Sequence, residues 1–121
     1  MRTVLSEWAQ LDISTQAERD GWTIVRVAGE LDLATAPRLE KHITTLLLAH
    51  PVRRLILEMA DLQFCDSSGL GVLVAMHRRL DAGGGRLVLT GLHGQPLCLL
   101  TRTGLAGRLN VRPAAAKQAA G

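Results

Sequence analysis

The chain has 121 residues, about the length of one ordinary domain, and 47% of them are hydrophobic, which is enough for a single core. Only 2% are aromatic, which demands an aliphatic core and excludes a stacking platform for single-stranded nucleic acid. The formal net charge is +3. The basic residues are scattered, with the pairs at 53–54 and 78–79 as the nearest thing to a cluster, which favours a solvated surface over direct nucleic-acid binding.

Hydropathy and cysteine usage indicate the cellular compartment of the protein. The apolar runs fall short of the roughly 18 residues of a membrane span, and the N-terminus has an acid and a tryptophan where a signal peptide needs an apolar core. Cys65 and Cys98 have neither CxxC spacing nor an adjacent histidine, so we expect both to be reduced, buried thiols. These features predict a cytoplasmic protein with no membrane insertion.

The first predicted elements are a hairpin and a helix. Apolar and polar residues alternate over 11–16, which indicates a half-exposed strand. Asp20 and Gly21 tolerate the positive φ of a tight turn, and residues 22–28 form the returning strand. Thr35 is then expected to cap the first helix.

The rest of the chain alternates strands with helices. An apolar run at 54–59 predicts a central strand covered on both faces. Phe64 closes the loop that follows, and Asp66 is expected to cap a second helix that ends near residue 81. The remaining predicted elements are a strand at 86–90, a third helix at 96–103 and an edge strand at 109–112.

This order of elements predicts an α/β fold in a single domain over residues 1–121. The core is expected at about 11–112, followed by an alanine-rich tail at 113–121. Strands that alternate with helices imply right-handed crossovers and parallel pairing, whereas the opening hairpin is antiparallel. We therefore expect a mixed, mostly parallel sheet of four to five strands, with the helices mainly on one face.

The Asp-Ser-Ser-Gly segment at 66–69 does not predict an active site. His77 lies ten residues after Ser67 on the same predicted helix, about 15 Å away by helical rise, whereas a nucleophile and its base must lie within about 3 Å. The segment is not a Gly-x-Ser-x-Gly elbow, the glycines at 83–85 lack the ending of a phosphate loop, and no metal-ligand spacing occurs. We predict no enzyme activity, cofactor or metal, and a reactive thiol at Cys65 is the alternative.

Ser67 is better explained as a modification site. It would be the first residue of the second helix, where free amides and the helix dipole favour a phosphate. A phosphate adds close to two negative charges and new bulk, so it would disturb any partner packed over this turn. The physics of the turn alone does not separate Ser67 from Ser68.

The start of the second helix is apolar nearly all round, which is wider than one core-facing stripe needs. Part of this surface is therefore expected to meet a partner through Leu70 and Val72. The alternative is a helix buried between the sheet and a neighbouring helix. Gly69 and Gly71 lower helix stability, so we expect them where another backbone comes close.

Two segments in a fixed order resemble a known family. Gly-Glu-Leu-Asp at 29–32, then a helix and an apolar strand, then Phe-Cys-Asp-Ser-Ser-Gly-Leu-Gly-Val at 64–72 resemble a STAS domain. More narrowly, they resemble the bacterial anti-sigma factor antagonists, over about residues 11–111. The resemblance implies that the unphosphorylated protein binds an anti-sigma factor with serine kinase activity and so releases a sigma factor. It also implies phosphorylation of Ser67 in preference to Ser68, and reversal by a PP2C-type phosphatase.

The same resemblance implies which residues contact the partner: Gly29, Glu30, Asp32, Asp66, Ser67, Ser68, Gly69, Leu70 and Val72. A non-switched STAS scaffold subunit, for example of a lipid-transport or stress-signalling complex, is the alternative function. A serine hydrolase that uses Ser67 is a third.

Overall fold

The computed structural model describes residues 10–49 and 53–114, so most of the predicted tail at 113–121 lies outside the described residues. In chain order, the elements are β1 (Leu11–Arg19), β2 (Trp22–Leu31), α1 (Ala36–Ala49), β3 (Arg54–Glu58), β4 (Leu62–Cys65), α2 (Ser67–Ala82), β5 (Arg86–Thr90), α3 (Gly94–Arg102), a 3₁₀ turn (Leu105–Gly107) and β6 (Asn110–Arg112). Within these ranges, no helix is both long and apolar enough to cross a membrane.

The strands form a sheet in the order β1-β2-β3-β5-β6, and β4 pairs with β2. The β1–β2 pair is antiparallel and the other pairs are parallel. This confirms the mixed, mostly parallel sheet. At the hairpin between β1 and β2, Asp20 and Gly21 have φ values of 55° and 84°, as the predicted turn requires.

The sheet has six strands, one more than the four to five predicted. The additional strand is β4, whose first three residues, Leu62 to Phe64, lie in the predicted loop. It has four residues, two of them exposed, so it shows no alternation of buried and exposed side chains. Its partner is the end of β2, at Gly29, Glu30 and Leu31, while β3 pairs with the first half of β2. The strands β3 and β4 therefore lie end to end along β2.

The core lies between one face of the sheet and the helices. Val25 and Val27 of β2 and Leu55 and Leu57 of β3 are fully buried. They belong to one apolar cluster with residues of all three helices, including Leu39, Ile43, Leu70, Leu73, Met76, Leu80 and Leu100. Burial of each leucine contributes about 1.5–3 kcal/mol. Ile56, which points to the opposite face, is only half-buried, so the predicted covering of both faces of β3 is incomplete.

Candidate functional site at the start of α2

Asp66 caps α2, as predicted. Its backbone is extended (φ −114°, ψ −172°), and its Oδ1 accepts a hydrogen bond from the Gly69 amide at 3.0 Å. Its Oδ2 accepts a second hydrogen bond from the Leu33 amide at 3.1 Å. One carboxylate therefore caps a helix and also fastens the loop between β2 and α1. A cap of this kind stabilises a protein by about 1 kcal/mol.

Ser67 and Ser68 differ in exposure. Ser67 is the first residue of α2 and is exposed, whereas Ser68 is half-buried. Neither hydroxyl has a hydrogen-bond partner among residues 10–49 and 53–114. The Ser67 hydroxyl is thus not hydrogen-bonded to a base within the described chain, as the nucleophile of a preformed catalytic pair would be. What it offers is an accessible hydroxyl at the start of a helix.

Gly69 is required by a close contact inside this chain. A Cβ at this position would lie 2.7 Å from Leu31 Cγ, 2.8 Å from the Leu31 carbonyl oxygen and 2.9 Å from Cys65 Sγ. The backbone that comes close to Gly69 is therefore the end of β2. Gly71 is different, because a Cβ there would meet nothing within 4 Å. The packing described gives no reason for a glycine at position 71.

The loop between β2 and α1 is fastened by its own polar groups. Asp32 Oδ1 accepts hydrogen bonds from the amides of Ala34 (3.0 Å) and Thr35 (3.1 Å). The buried Thr35 hydroxyl donates to the Glu30 carbonyl at 2.7 Å and accepts from the Asp32 amide at 2.9 Å. Thr35 does precede α1, but its hydroxyl points back into the loop rather than to the helix amides. The capping role predicted for its side chain is therefore wrong.

The edge of β4 that does not pair with β2 is covered by α3. The Gln95 side chain accepts a hydrogen bond from the Cys65 amide and donates one to the Cys65 carbonyl, both at 2.8 Å. His93 Nε2 lies 2.8 Å from the Ala60 carbonyl oxygen, just before β4. The side-chain amide of Gln95 thus makes the hydrogen bonds with Cys65 that a neighbouring strand would otherwise make. Nothing in the sequence around Gln95 indicates this contact.

The comparison with known proteins settles the family. The model of the STAS domain family matches residues 14–117. The chain belongs to the STAS domain family. The anti-sigma F factor antagonist of Paenibacillus polymyxa is 31% identical over 85 residues, covering 70% of this chain and 73% of that protein. The anti-sigma-B factor antagonist of Bacillus subtilis is 32% identical over 87 residues, covering 72% and 78%. The structure of the phosphorylated form of the Bacillus cell fate determinant SpoIIAA matches with a TM-score of 0.69 and 25% identity, covering 89% and 96%.

Several contacts predicted for this STAS domain are used inside its own fold. The side chains of Leu70 and Val72 are 6% and 9% exposed and belong to the core cluster. The wide apolar surface of α2 packs against α1 and β5, so the alternative of a buried helix is correct there. Gly69 is buried too, and a Cβ on Gly29 (φ 107°) would lie 2.7 Å from the Gln10 carbonyl oxygen. Leu70, Val72 and Gly69 therefore pack inside the fold, whereas Gly29 is half-buried.

The other predicted contacts remain accessible at this end of the STAS domain. They are half-buried or exposed: Glu30, Asp32, Asp66, Ser67 and Ser68. Two exposed apolar residues were missed, namely Leu33, which is 76% exposed, and Phe64, which is 39% exposed. Periodicity could not have found them, because Leu33 lies in a turn and Phe64 in the irregular strand β4.

The two cysteines differ, and neither forms a disulfide. Burial, followed by the charge of Asp66, raises the pKa of the Cys65 thiol to about 12. The thiol is therefore protonated at neutral pH, which removes the alternative of a reactive cysteine beside Ser67. Cys98 is exposed on α3, so the prediction that it is buried is wrong. In the described ranges, no three His, Cys, Asp or Glu side chains come together as a metal site.

Proposed function

We propose that this STAS domain is an anti-sigma factor antagonist. Its unphosphorylated form binds an anti-sigma factor with serine kinase activity and releases a sigma factor. Phosphorylation of Ser67 switches binding off, and a PP2C-type phosphatase restores it. The protein acts by binding rather than as an enzyme, in the cytoplasm with its partners. The single observation that carries the proposal is an exposed serine at the capped start of a helix, whose hydroxyl has no hydrogen-bond partner within the described residues, in a chain similar to named anti-sigma factor antagonists.

The fold can accept a phosphate on Ser67 without rearrangement. The side chain is exposed, so the added bulk displaces none of the core. The positive end of the α2 dipole offsets the new charge, whereas the carboxylate of Asp66 opposes it. These opposing effects leave the stability of the domain little changed. The consequence of phosphorylation therefore falls on the interface with the partner.

A partner over this turn would find apolar anchors beside polar groups. Leu33 and Phe64 supply exposed apolar surface, and interface energy is concentrated in a few such side chains. A phosphate on Ser67 would have to lose its hydration within the closed interface, which is unfavourable unless it is paired. A loss of about 3–4 kcal/mol would lower affinity a few hundred- to thousand-fold, enough for an off switch.

Phosphorylation of matched serine variants tests the site. The wild type, Ser67→Ala and Ser68→Ala are incubated with ATP and the anti-sigma factor kinase from the same genome, then resolved on Phos-tag gels. We expect modification of the wild type and Ser68→Ala and none of Ser67→Ala. Undiminished modification of Ser67→Ala would remove Ser67 as the site.

Binding of the same kinase tests the switch. Ser67→Asp should bind more weakly than the wild type, although one carboxylate carries less charge than a phosphate. Equal affinity of Ser67→Asp, of the phosphorylated protein and of the wild type would show that Ser67 does not control binding.

A further inference from the structure

The N-terminal ends of the parallel strands bring together arginines that are distant in sequence. Arg54 and Arg86 are Cα partners at the start of β3 and β5, and the Arg53 carbonyl accepts a hydrogen bond from the Arg86 amide at 2.6 Å. At the neighbouring hairpin, Arg19 is the Cα partner of Trp22. The Arg54 guanidinium lies 6.0 Å from the centroid of the Trp22 ring. The arginines of three strands therefore meet at one end of the sheet.

The last turn of α2 adds another arginine to this end. Arg79 and Arg53 line a shallow depression of about 140 Å³ together with Leu47 and Leu80. A Cβ on Gly84 would lie 3.8 Å from Arg53 Nη1, which places this guanidinium beside the turn between α2 and β5. We call the whole surface the arginine face, and it consists of Arg19, Arg53, Arg54, Arg79 and Arg86.

The arginine face forms no ion pair within the described chain. All five side chains are exposed. Both ion pairs found in residues 10–49 and 53–114 involve Arg26, which contacts Glu58 and Asp61 elsewhere on the sheet. Arg79 donates a hydrogen bond to a neutral group instead, Thr44 Oγ1 at 3.1 Å. Five arginines against three carboxylates at this end (Glu18, Asp20 and Asp81) leave an excess of positive charge, which attracts an anionic surface.

The opposite end of the sheet, where Ser67 lies, carries acidic residues. They lie at or just after the C-terminal ends of β2, β3 and β4: Glu30, Asp32, Asp61 and Asp66. Charge is therefore partly separated along the strand direction, because the arginine end carries three carboxylates beside its five arginines, and the net charge of +3 is modest. An anionic surface would bind the arginine face and turn the Ser67 end away from itself.

We propose that the arginine face docks this STAS domain onto the surface of an anionic lipid bilayer. Leu48 lies near the end of α1 and is 78% exposed. Its neighbour in the sequence, Leu47, lines the depression. Half-buried Trp22 lies under Arg54 at the same end. Cations beside an exposed aliphatic and an indole suit the headgroup region, where charge and apolar contact both contribute. The contact is peripheral, and no segment enters the hydrocarbon.

The surface suits a bilayer better than a nucleic acid. A duplex requires a track of phosphate contacts, and a groove is read by an inserted helix or ribbon. Here Glu18, Asp20 and Asp81 lie at the same end of the fold and interrupt such a track. A fluid bilayer can rearrange its anionic headgroups around the arginines, so it does not need a regular spacing.

Vesicle co-sedimentation of the full chain tests the docking. The probes are vesicles of phosphatidylglycerol mixed equally with phosphatidylcholine, and vesicles of phosphatidylcholine alone. We expect salt-sensitive binding to the anionic vesicles only. Each positive charge near such a surface contributes about five-fold to partitioning, so Arg86→Glu, which changes the charge by two, should weaken binding about 25-fold.

Arg112→Glu is the matched control. It makes the same charge change at the end of β6, where Arg112 is exposed and its guanidinium donates a hydrogen bond to the neighbouring Val111 carbonyl at 3.2 Å. It should bind anionic vesicles like the wild type. Leu48→Ser should bind more weakly with an unchanged dependence on salt, because it removes apolar contact without altering charge. Thermal unfolding of each variant verifies that it is folded.

Three results would overturn the proposal. The first is no binding of the wild type to anionic vesicles. The second is equal loss in Arg86→Glu and Arg112→Glu, which would reflect net charge alone. The third is a gel shift of duplex DNA that is lost in Arg86→Glu but not in Arg112→Glu, together with no binding to vesicles. That result would assign the arginine face to nucleic acid. Ser67→Ala should leave vesicle binding unchanged, so this test is independent of the proposed switch.

Discussion

Substitution of alanine for two glycines in the same helix should have effects of opposite sign on stability. At Gly69, a methyl group would lie under 3 Å from three atoms, and one of them is the backbone carbonyl oxygen of Leu31, which cannot rotate away. Overpacking of this kind costs about 1–3 kcal/mol. The better helix propensity of alanine returns at most about 1 kcal/mol. We expect Gly69→Ala to lower the free energy of unfolding by about 1–2 kcal/mol.

At Gly71, the same substitution should stabilise the protein. A Cβ there meets nothing within 4 Å, so only the gain in helix propensity of about 1 kcal/mol remains. For a domain of this size, that corresponds to a rise in Tm of about 4 °C. The two variants add the same methyl group to the same helix at positions two residues apart, so each is the control for the other.

Urea unfolding followed by circular dichroism measures both effects. The midpoint should move down for Gly69→Ala and up for Gly71→Ala, with the slope m unchanged. A Gly69→Ala variant as stable as the wild type would refute the close packing of α2 on the end of β2. Destabilisation by Gly71→Ala would show that position 71 is covered. If the partner packs closely over Gly71, this variant should also bind it more weakly despite its greater stability.

Three further predictions concern the neighbours of Ser67. Asp66→Ala removes the bonds to Gly69 and Leu33 and should cost about 1–2 kcal/mol in urea unfolding, with Asp66→Asn less affected because it keeps an acceptor. Gln95→Ala leaves the Cys65 amide and carbonyl unpaired and should cost about 1–3 kcal/mol, with faster hydrogen exchange at the Cys65 amide. The pKa of the folded Cys65 thiol, about 12, exceeds its ordinary value of 9.0, so the contribution of Cys65 to stability should be fully present below about pH 9 and should be lost between pH 9 and 12, as measured by urea unfolding at each pH.

Each of these predictions has a contradicting result. Stability of Asp66→Ala equal to the wild type would mean that the cap contributes nothing. Unchanged exchange at the Cys65 amide in Gln95→Ala would show that α3 does not close β4. Iodoacetamide should alkylate exposed Cys98 at neutral pH and leave Cys65 intact, and equally rapid labelling of Cys65 in the folded protein would contradict its raised pKa.

Local sequence rules predicted the parts of the fold that depend on local chemistry. The turn at Asp20 and Gly21 follows from tolerance of positive φ, and the cap at Asp66 from a carboxylate before an apolar run. The parallel pairing of β3 and β5 follows from the alternation of strands and helices. In each case, the determining residues are neighbours in the chain.

The missed features depend on contacts between distant segments. The strand β4 forms because the end of β2 offers it hydrogen bonds, and α3 closes it through Gln95, 30 positions after Cys65. Leu70 was assigned to a partner because the start of its helix is apolar nearly all round, but its side chain is buried in the core, where α2 packs against α1 and β5. The arginine face arises from the register of the sheet, which the scattered positions of its members do not reveal. Pairing and register are tertiary properties, so composition and periodicity do not specify them.

The loop between β2 and α1 is held in shape by its own hydrogen bonds, which affects how strongly a partner could bind it. Asp32 and Thr35 already hold its amides and carbonyls in place. A free loop would lose about 1–2 kcal/mol of backbone entropy per residue on becoming ordered at an interface. Here that entropy is lost during folding, so a partner would bind a loop that is already ordered. Under the proposed switch, a change at Ser67 would then act on affinity without a cost of ordering the neighbouring loop.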